Sequence, residues 1–169
     1  MENSIDVAVA KFLENLNTQA EAPPQKNQVA ESSAFYGITY KSLLRNKMLV
    51  AQSIRFGIPY YLFEEIQYQT PFTEEDWAEF LNLSTKSLQR YKAEGKHVFK
   101  PLHSEKIFEL AEVTELGKEV FDDASKFYKW LDVPNIALSG YKPSELIVSS
   151  YGKELVMDEL VHIDQGIFV

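Results

Sequence analysis

The stretch Thr73-Glu74-Glu75-Asp76-Trp77-Ala78-Glu79-Phe80-Leu81-Asn82-Leu83-Ser84-Thr85-Lys86-Ser87-Leu88-Gln89-Arg90-Tyr91 decides the fold. Thr73 is an N-cap residue, and three acidic residues follow it, where the positive end of a helix dipole favours them. Trp77, Phe80 and Leu81 recur at helical spacing, and Ala78 is small enough for two helices to cross closely. Asn82-Leu83 reads as a short turn and Ser84 as a second N-cap. The next helix buries Leu88 and Tyr91. Two capped helices joined by a tight turn form the pattern of a DNA-binding helix-turn-helix.

The outer side of the second helix carries the candidate DNA contacts. Lys86 and Arg90 suit phosphate or guanine, and Gln89 suits adenine. Ser84 and Thr85 place hydroxyls at a helix N-terminus, where a phosphate is favoured, and Lys92 and Lys96 add charge against Glu94. A plain solvated helix face would carry similar residues. Glu64, Glu65, Glu74, Glu75, Asp76 and Glu79 surround this stretch, and the net charge of the chain is −8. Such a field repels nucleic acid, so two copies of the helix in a homodimer are needed to gather enough phosphate contacts.

Outward from this stretch the helical period persists, over roughly 41–55, 59–69, 104–121, 123–132, 143–150 and 151–165. No strand alternation lasts more than a few residues and there is no internal repeat, so the fold class is all-α. We expect three parts. Residues 1–33 hold a short amphipathic helix (Ile5, Val9, Phe12, Leu13, Leu16) and a flexible polar linker containing Pro23-Pro24. That helix either docks on a neighbouring subunit or partner or frays. Residues 34–103 form the helix-turn-helix bundle, and residues 104–169 a second small helical domain. The joint Lys96 to Leu102 is extended and partly apolar, hence packed. In the second domain Ile107, Leu110, Ala111, Thr114 and Phe121 share one side of a long helix, where Gly117 admits a close neighbour.

Several function classes are excluded. The 169 residues contain no cysteine, which removes disulfide and thiol chemistry and fits a reducing cytoplasm. No apolar run reaches membrane-span length, and the start Met1-Glu2-Asn3-Ser4 lacks a basic leader. The expected location is therefore cytoplasmic, without a membrane partner. The histidines are His97, His103 and His162, in no metal or triad arrangement, and there is no Gly-rich phosphate loop. We expect no catalytic residue, no metal, no cofactor and no enzymatic activity.

The order of residues late in the chain adds to this. Trp130-Leu131 ends a helix, and Pro134-Asn135, Ala137-Leu138, Gly140 and Pro143-x-x-Leu146 follow. Tyr151-Gly152 opens the last helix, and Leu160-x-x-Ile163-Asp164-x-Gly166 ends it. In this order and spacing the segment resembles the toxin-binding domain of Xre/MbcA/ParS antitoxins, and Leu88-Gln89-Arg90 resembles the same family's N-terminal domain. The resemblance covers residues 54–168. It departs at His162, where the family often has arginine, and at Gln165, where it often has histidine.

The resemblance implies a bacterial type II antitoxin whose partner is a RES-domain toxin that consumes NAD or transfers ADP-ribose. It also implies that the antitoxin's C-terminal end lies near the toxin active site and that the complex represses its own promoter. The contact residues are then Trp130, Tyr151, Lys153, His162, Gln165, Gly166, Ile167, Phe168 and Val169. The apolar Ile167-Phe168-Val169 with its terminal carboxylate suits a cleft that binds phosphorylated substrate. The alternatives are a stand-alone helix-turn-helix repressor with a C-terminal dimerisation or ligand domain, and an adaptor without DNA contact.

Overall fold

The structure, a computed structural model, describes residues 3–20 and 37–167. Those residues form α1 (Ser4–Ala20), α2 (Tyr40–Arg45), α3 (Lys47–Phe56), α4 (Tyr60–Gln69), α5 (Glu74–Phe80), α6 (Thr85–Glu94), α7 (Pro101–Phe121), α8 (Ala124–Leu131), α9 (Pro143–Leu146) and α10 (Ser150–Asp164). Among the described residues the one β interaction is an isolated antiparallel bridge between Pro59 and Val98. The all-α class read from the sequence is the one observed.

α7 is the axis of the fold. It packs against α2, α3 and α4 on the N-terminal side of the chain and against α8 and α10 on the other. The sequence reading placed its apolar residues on one side. The structure buries Phe108 and Val113 as well as Ile107, Leu110, Ala111 and Thr114, because a helix packed between two layers needs a broad apolar stripe. Phe121, at the end of the helix, is only half-buried. The buried apolar residues of α1 to α10 join one cluster across the 103/104 division. That division falls within the first turns of α7, which begins at Pro101 rather than 104, with proline at the helix start where no N–H is required.

The joint before α7 is packed, as its composition suggests. The Phe99 N–H donates to the Ile58 carbonyl at 2.8 Å, and the Tyr60 N–H to the His97 carbonyl at 2.8 Å. The fully buried Ser104 hydroxyl accepts from the Ile58 N–H at 2.9 Å and donates to the Phe99 carbonyl at 3.0 Å. Gly57, at φ 92°, lies so near the Phe99 carbonyl that a Cβ would sit 2.6 Å from it. Both polar partners of this serine are backbone groups that would otherwise be left buried and unpaired.

Two helix boundaries differ from the sequence reading. The single helix expected over 41–55 is broken at Asn46. This residue closes α2 through its N–H to the Leu43 carbonyl, and it opens α3 by accepting the Leu49 N–H on its side chain. Periodicity alone does not reveal such a double cap. The helix expected over 143–150 is short, ending at Leu146, because Ser149 caps the next one.

The N-terminal helix differs in partner. Over its described length it packs on its own chain. Ile5, Val9, Phe12 and Leu13 are fully buried, and α1 packs on α4 and α2 of its own chain. Phe12 meets Phe56 edge-on at 5.8 Å, and the Asp6 carboxylate accepts the Tyr40 N–H at 2.7 Å, in the first turn of α2. The linker expected within 1–33 lies largely outside the described residues.

Deleting the Phe12 ring removes a core contact and leaves a cavity between α1 and α3. Phe12→Ala is expected to lower unfolding free energy by about 3–5 kcal/mol in denaturant titration. A loss below about 1 kcal/mol would show that α1 is not part of the folded unit.

Candidate functional site

The α5–α6 pair is held by its caps and by an aromatic floor. The Thr73 hydroxyl accepts the Asp76 N–H, and Asp76 accepts the Thr73 N–H in return at 2.8 Å. Trp77 is fully buried, edge-on to Phe63, Phe72 and Phe80. Asn82 takes the left-handed conformation at φ 51°, and the Leu83 N–H donates to the Ala78 carbonyl at 2.8 Å. This closes the turn and sets the direction of α6. Leu88 is buried as expected, whereas Tyr91 is half-buried and stacks on the His97 ring with 7° between planes. Burial holds the His97 imidazole below its ordinary pKa, against the opposing charge of Glu94. The neutral ring is thus the packed form, and acidification through the ordinary imidazole range weakens this support.

The candidate DNA residues fall into two groups. Lys86, Gln89 and Arg90 stand together on the exposed side of α6. Arg90 reaches Glu94 at 3.8 Å and lies over the Tyr91 ring at 5.3 Å. Lys92 turns toward α4 and pairs with Glu64 at 3.1 Å. The Ser84 hydroxyl accepts the Ser87 N–H at 3.1 Å, so it is engaged in its own helix cap, and Thr85 is half-buried.

The last third of the chain is assembled on α7. Gly117 faces the Phe127 ring of α8 in direct contact, with no room for a Cβ, which is the close approach that the sequence placed there. Trp130 packs against Phe121 and Phe127 at ring distances of 5.7 and 6.2 Å. Gly152 plays a similar part between α9 and α10: a Cβ there would strike the Leu146 carbonyl. Val156 and Leu160 bury the inner side of α10. Lys153, among the candidate contacts, reaches back to Glu112 of α7 at 2.6 Å. This pair is mostly buried, so it fixes α10 on α7 rather than offering a free cation.

The remaining candidates lie outward. Tyr151 is 85% exposed. His162 and Gln165 are exposed too, with the His162 Nδ1 3.7 Å from Glu159. Gly166 ends the helix at φ 69°. Its N–H donates to the Ile163 carbonyl at 3.0 Å and the Ile167 N–H to the His162 carbonyl at 2.9 Å. This double bond pattern is a Schellman cap, which fixes where the chain leaves α10. Ile167 is 49% exposed there. Phe168 and Val169 lie outside the described residues.

The structure adds residues that the site reading passed over. Leu155, on the outer part of α10, is exposed. Asn135, noted only as a motif position, organises its loop. Its side-chain oxygen accepts the Ala137 N–H at 2.8 Å and its amide donates to Glu159 at 3.3 Å. Ile136 stands beside it, 87% exposed. The Pro-Asn step is a turn signal in the sequence, but its tie to Glu159 is a long-range contact that no local pattern encodes. Among the described residues no group of three or more His, Asp or Glu side chains is placed to hold a metal ion, and no helix is long and apolar enough to cross a membrane.

Comparison with known proteins agrees with this geometry. Residues 116–166 match the family model of the antitoxin Xre/MbcA/ParS C-terminal toxin-binding domain. The curated protein "Antitoxin Xre" of Pseudomonas putida is 30% identical over 63 residues, which are 37% of this chain and 40% of that protein. The chain thus aligns with about two-fifths of that relative's length. A chain of the M. tuberculosis MbcT-MbcA toxin-antitoxin complex is similar in fold, with a TM-score of 0.52 at 24% identity, over 63% of this chain and 94% of that one. Residues 116–166 of this chain are thus similar to the C-terminal toxin-binding domain of Xre/MbcA/ParS antitoxins.

Proposed function

We propose that this protein is the antitoxin of a toxin–antitoxin pair, without enzymatic activity of its own. Its cognate partner is a RES-type toxin that consumes NAD or transfers ADP-ribose. The outer side of α10 docks on the toxin, and the residues after Gly166 enter its active site. The observation that carries this reading is the family match over residues 116–166. The exposed Tyr151, Leu155 and His162 and the capped end of α10 support it, since they offer a helix surface and a fixed exit from it at Gly166. An apolar residue that fills a pocket is the usual anchor of such an interface.

The helix pair of residues 34–103 serves a second role in this reading, as an operator-binding unit that works as a homodimer. Lys86, Gln89 and Arg90 form its reading face, and Lys92 supports α6 through Glu64 instead of touching DNA. The charge of −8 makes a single copy a weak DNA ligand, which favours binding as a dimer or with the toxin attached.

Two experiments test the two roles separately. Removing residues 168–169 leaves the helix cap in place, because the Ile167 N–H still donates to the His162 carbonyl. It is expected to weaken inhibition of the toxin from the neighbouring reading frame at least tenfold, with the melting temperature unchanged within a few degrees. Full inhibition by the shortened protein rejects the occlusion mechanism. Replacing Lys86 and Arg90 with alanine is expected to lower the salt dependence of operator binding by about one counterion per lost phosphate contact and to leave toxin affinity intact. Unchanged retention in a gel-shift titration rejects this face.

A further inference from the structure

A second surface adjoins the family domain. A cleft of about 490 Å³ opens between the α4–α5 region and α8–α9. Its apolar lining comes from Phe72 and Phe80 on one side and from Tyr128, Leu131 and Val148 on the other. Four carboxylates, Asp76, Glu79, Asp132 and Glu145, line it as well, together with Pro71 and Ser144, and no lysine, arginine or histidine is among the lining residues. Two of these carboxylates are held in place by helix caps. Asp76 accepts the Thr73 N–H at 2.8 Å, and Glu145 accepts the Lys142 N–H at 3.0 Å. Glu79 and Asp132 are exposed on opposite sides.

An apolar floor with an acidic rim matches one kind of side chain. Arginine and lysine lay aliphatic stems on apolar surface while their charged heads stay outside, and a guanidinium binds carboxylates through two parallel hydrogen bonds. The volume exceeds that of one side chain, so it suits a short segment of polypeptide. More than half of the lining residues lie within the matched toxin-binding domain. We propose that this cleft seats a basic segment of the partner toxin, with arginine or lysine stems on Phe72, Phe80 and Leu131 and their charges on Glu79 and Asp132. The proposal rests on the antitoxin reading above and adds a contact separate from α10 and the chain end. Because Phe72 and Phe80 also support α5, an occupied cleft bears on the helix pair that carries the DNA-reading face.

The test has two arms on the full chain. In the first, a capped hexapeptide with two arginines flanking two leucines is titrated at low salt and followed by amide chemical shifts. Saturable shifts confined to the cleft are expected. They should weaken as salt rises and vanish with a glutamine-for-arginine peptide or with the Glu79→Lys, Asp132→Lys double variant. No shifts, or equal shifts with the glutamine peptide, overturn the proposal.

In the second arm, affinity for the toxin is measured. The double charge reversal is expected to weaken it at least tenfold, and the milder Glu79→Gln, Asp132→Asn pair a few-fold, with melting temperatures within a few degrees of the parent. Toxin affinity within twofold of the parent for both variants overturns the cleft as a toxin contact and leaves the antitoxin reading intact. A parent chain that binds no toxin overturns the antitoxin reading itself, and with it the toxin as occupant.

Discussion

The packing of α7 on both of its sides is the constraint on which the rest depends. Its N-terminal turns are tied by Ser104 to the strand-like joint, and its middle buries Ile107, Phe108, Leu110 and Ala111. Its C-terminal turns accept Phe127 over Gly117. Each large apolar side chain so buried contributes about 1.5–3 kcal/mol, which makes this helix the main reservoir of stability. The helix pair α5–α6 and the terminal helix α10 are both positioned relative to it, the one through α4 and the aromatic floor, the other directly. In the proposed reading, α7 is the common reference for the two surfaces.

Electrostatics then separates the surfaces. The exposed side of α6 gathers Lys86 and Arg90, while carboxylates ring the cleft between α5 and α8. Around α10, Lys153 pairs with Glu112 and Glu159 receives Asn135 and stands by His162, whereas Glu154, Asp158 and Asp164 are exposed. What α10 shows to solvent includes the apolar Tyr151 and Leu155. Buried apolar contact supplies affinity and rim charge supplies steering, so the two kinds of surface suit different steps of one association.

Much of this was legible in the sequence, and the failures have physical reasons. The caps at Thr73 and Ser84, the close approach at Gly117 and the packed joint before α7 are all local or compositional signals, and the structure contains them. The break at Asn46 was missed because a residue that ends one helix and starts the next interrupts no apolar period. The docking of α1 has no local signal, because its main partner, α4, begins forty residues after α1 ends. The same limit applies to the site. Lys92 and Lys153 look like free cations in the sequence, and only the fold reveals Glu64 and Glu112 opposite them. The cleft was invisible for the same reason: Phe72 and Leu131 belong to separate patterns that meet only in three dimensions.

The claim that matters most is that the outer side of α10 and the end beyond it are where the partner sits. Amide hydrogen exchange on the full chain, alone and with the toxin from the neighbouring reading frame, measures this directly. The account predicts slowed exchange over residues 150–169, strongest from His162 onward. A complex whose protection lies wholly outside α10 and the chain end would contradict it.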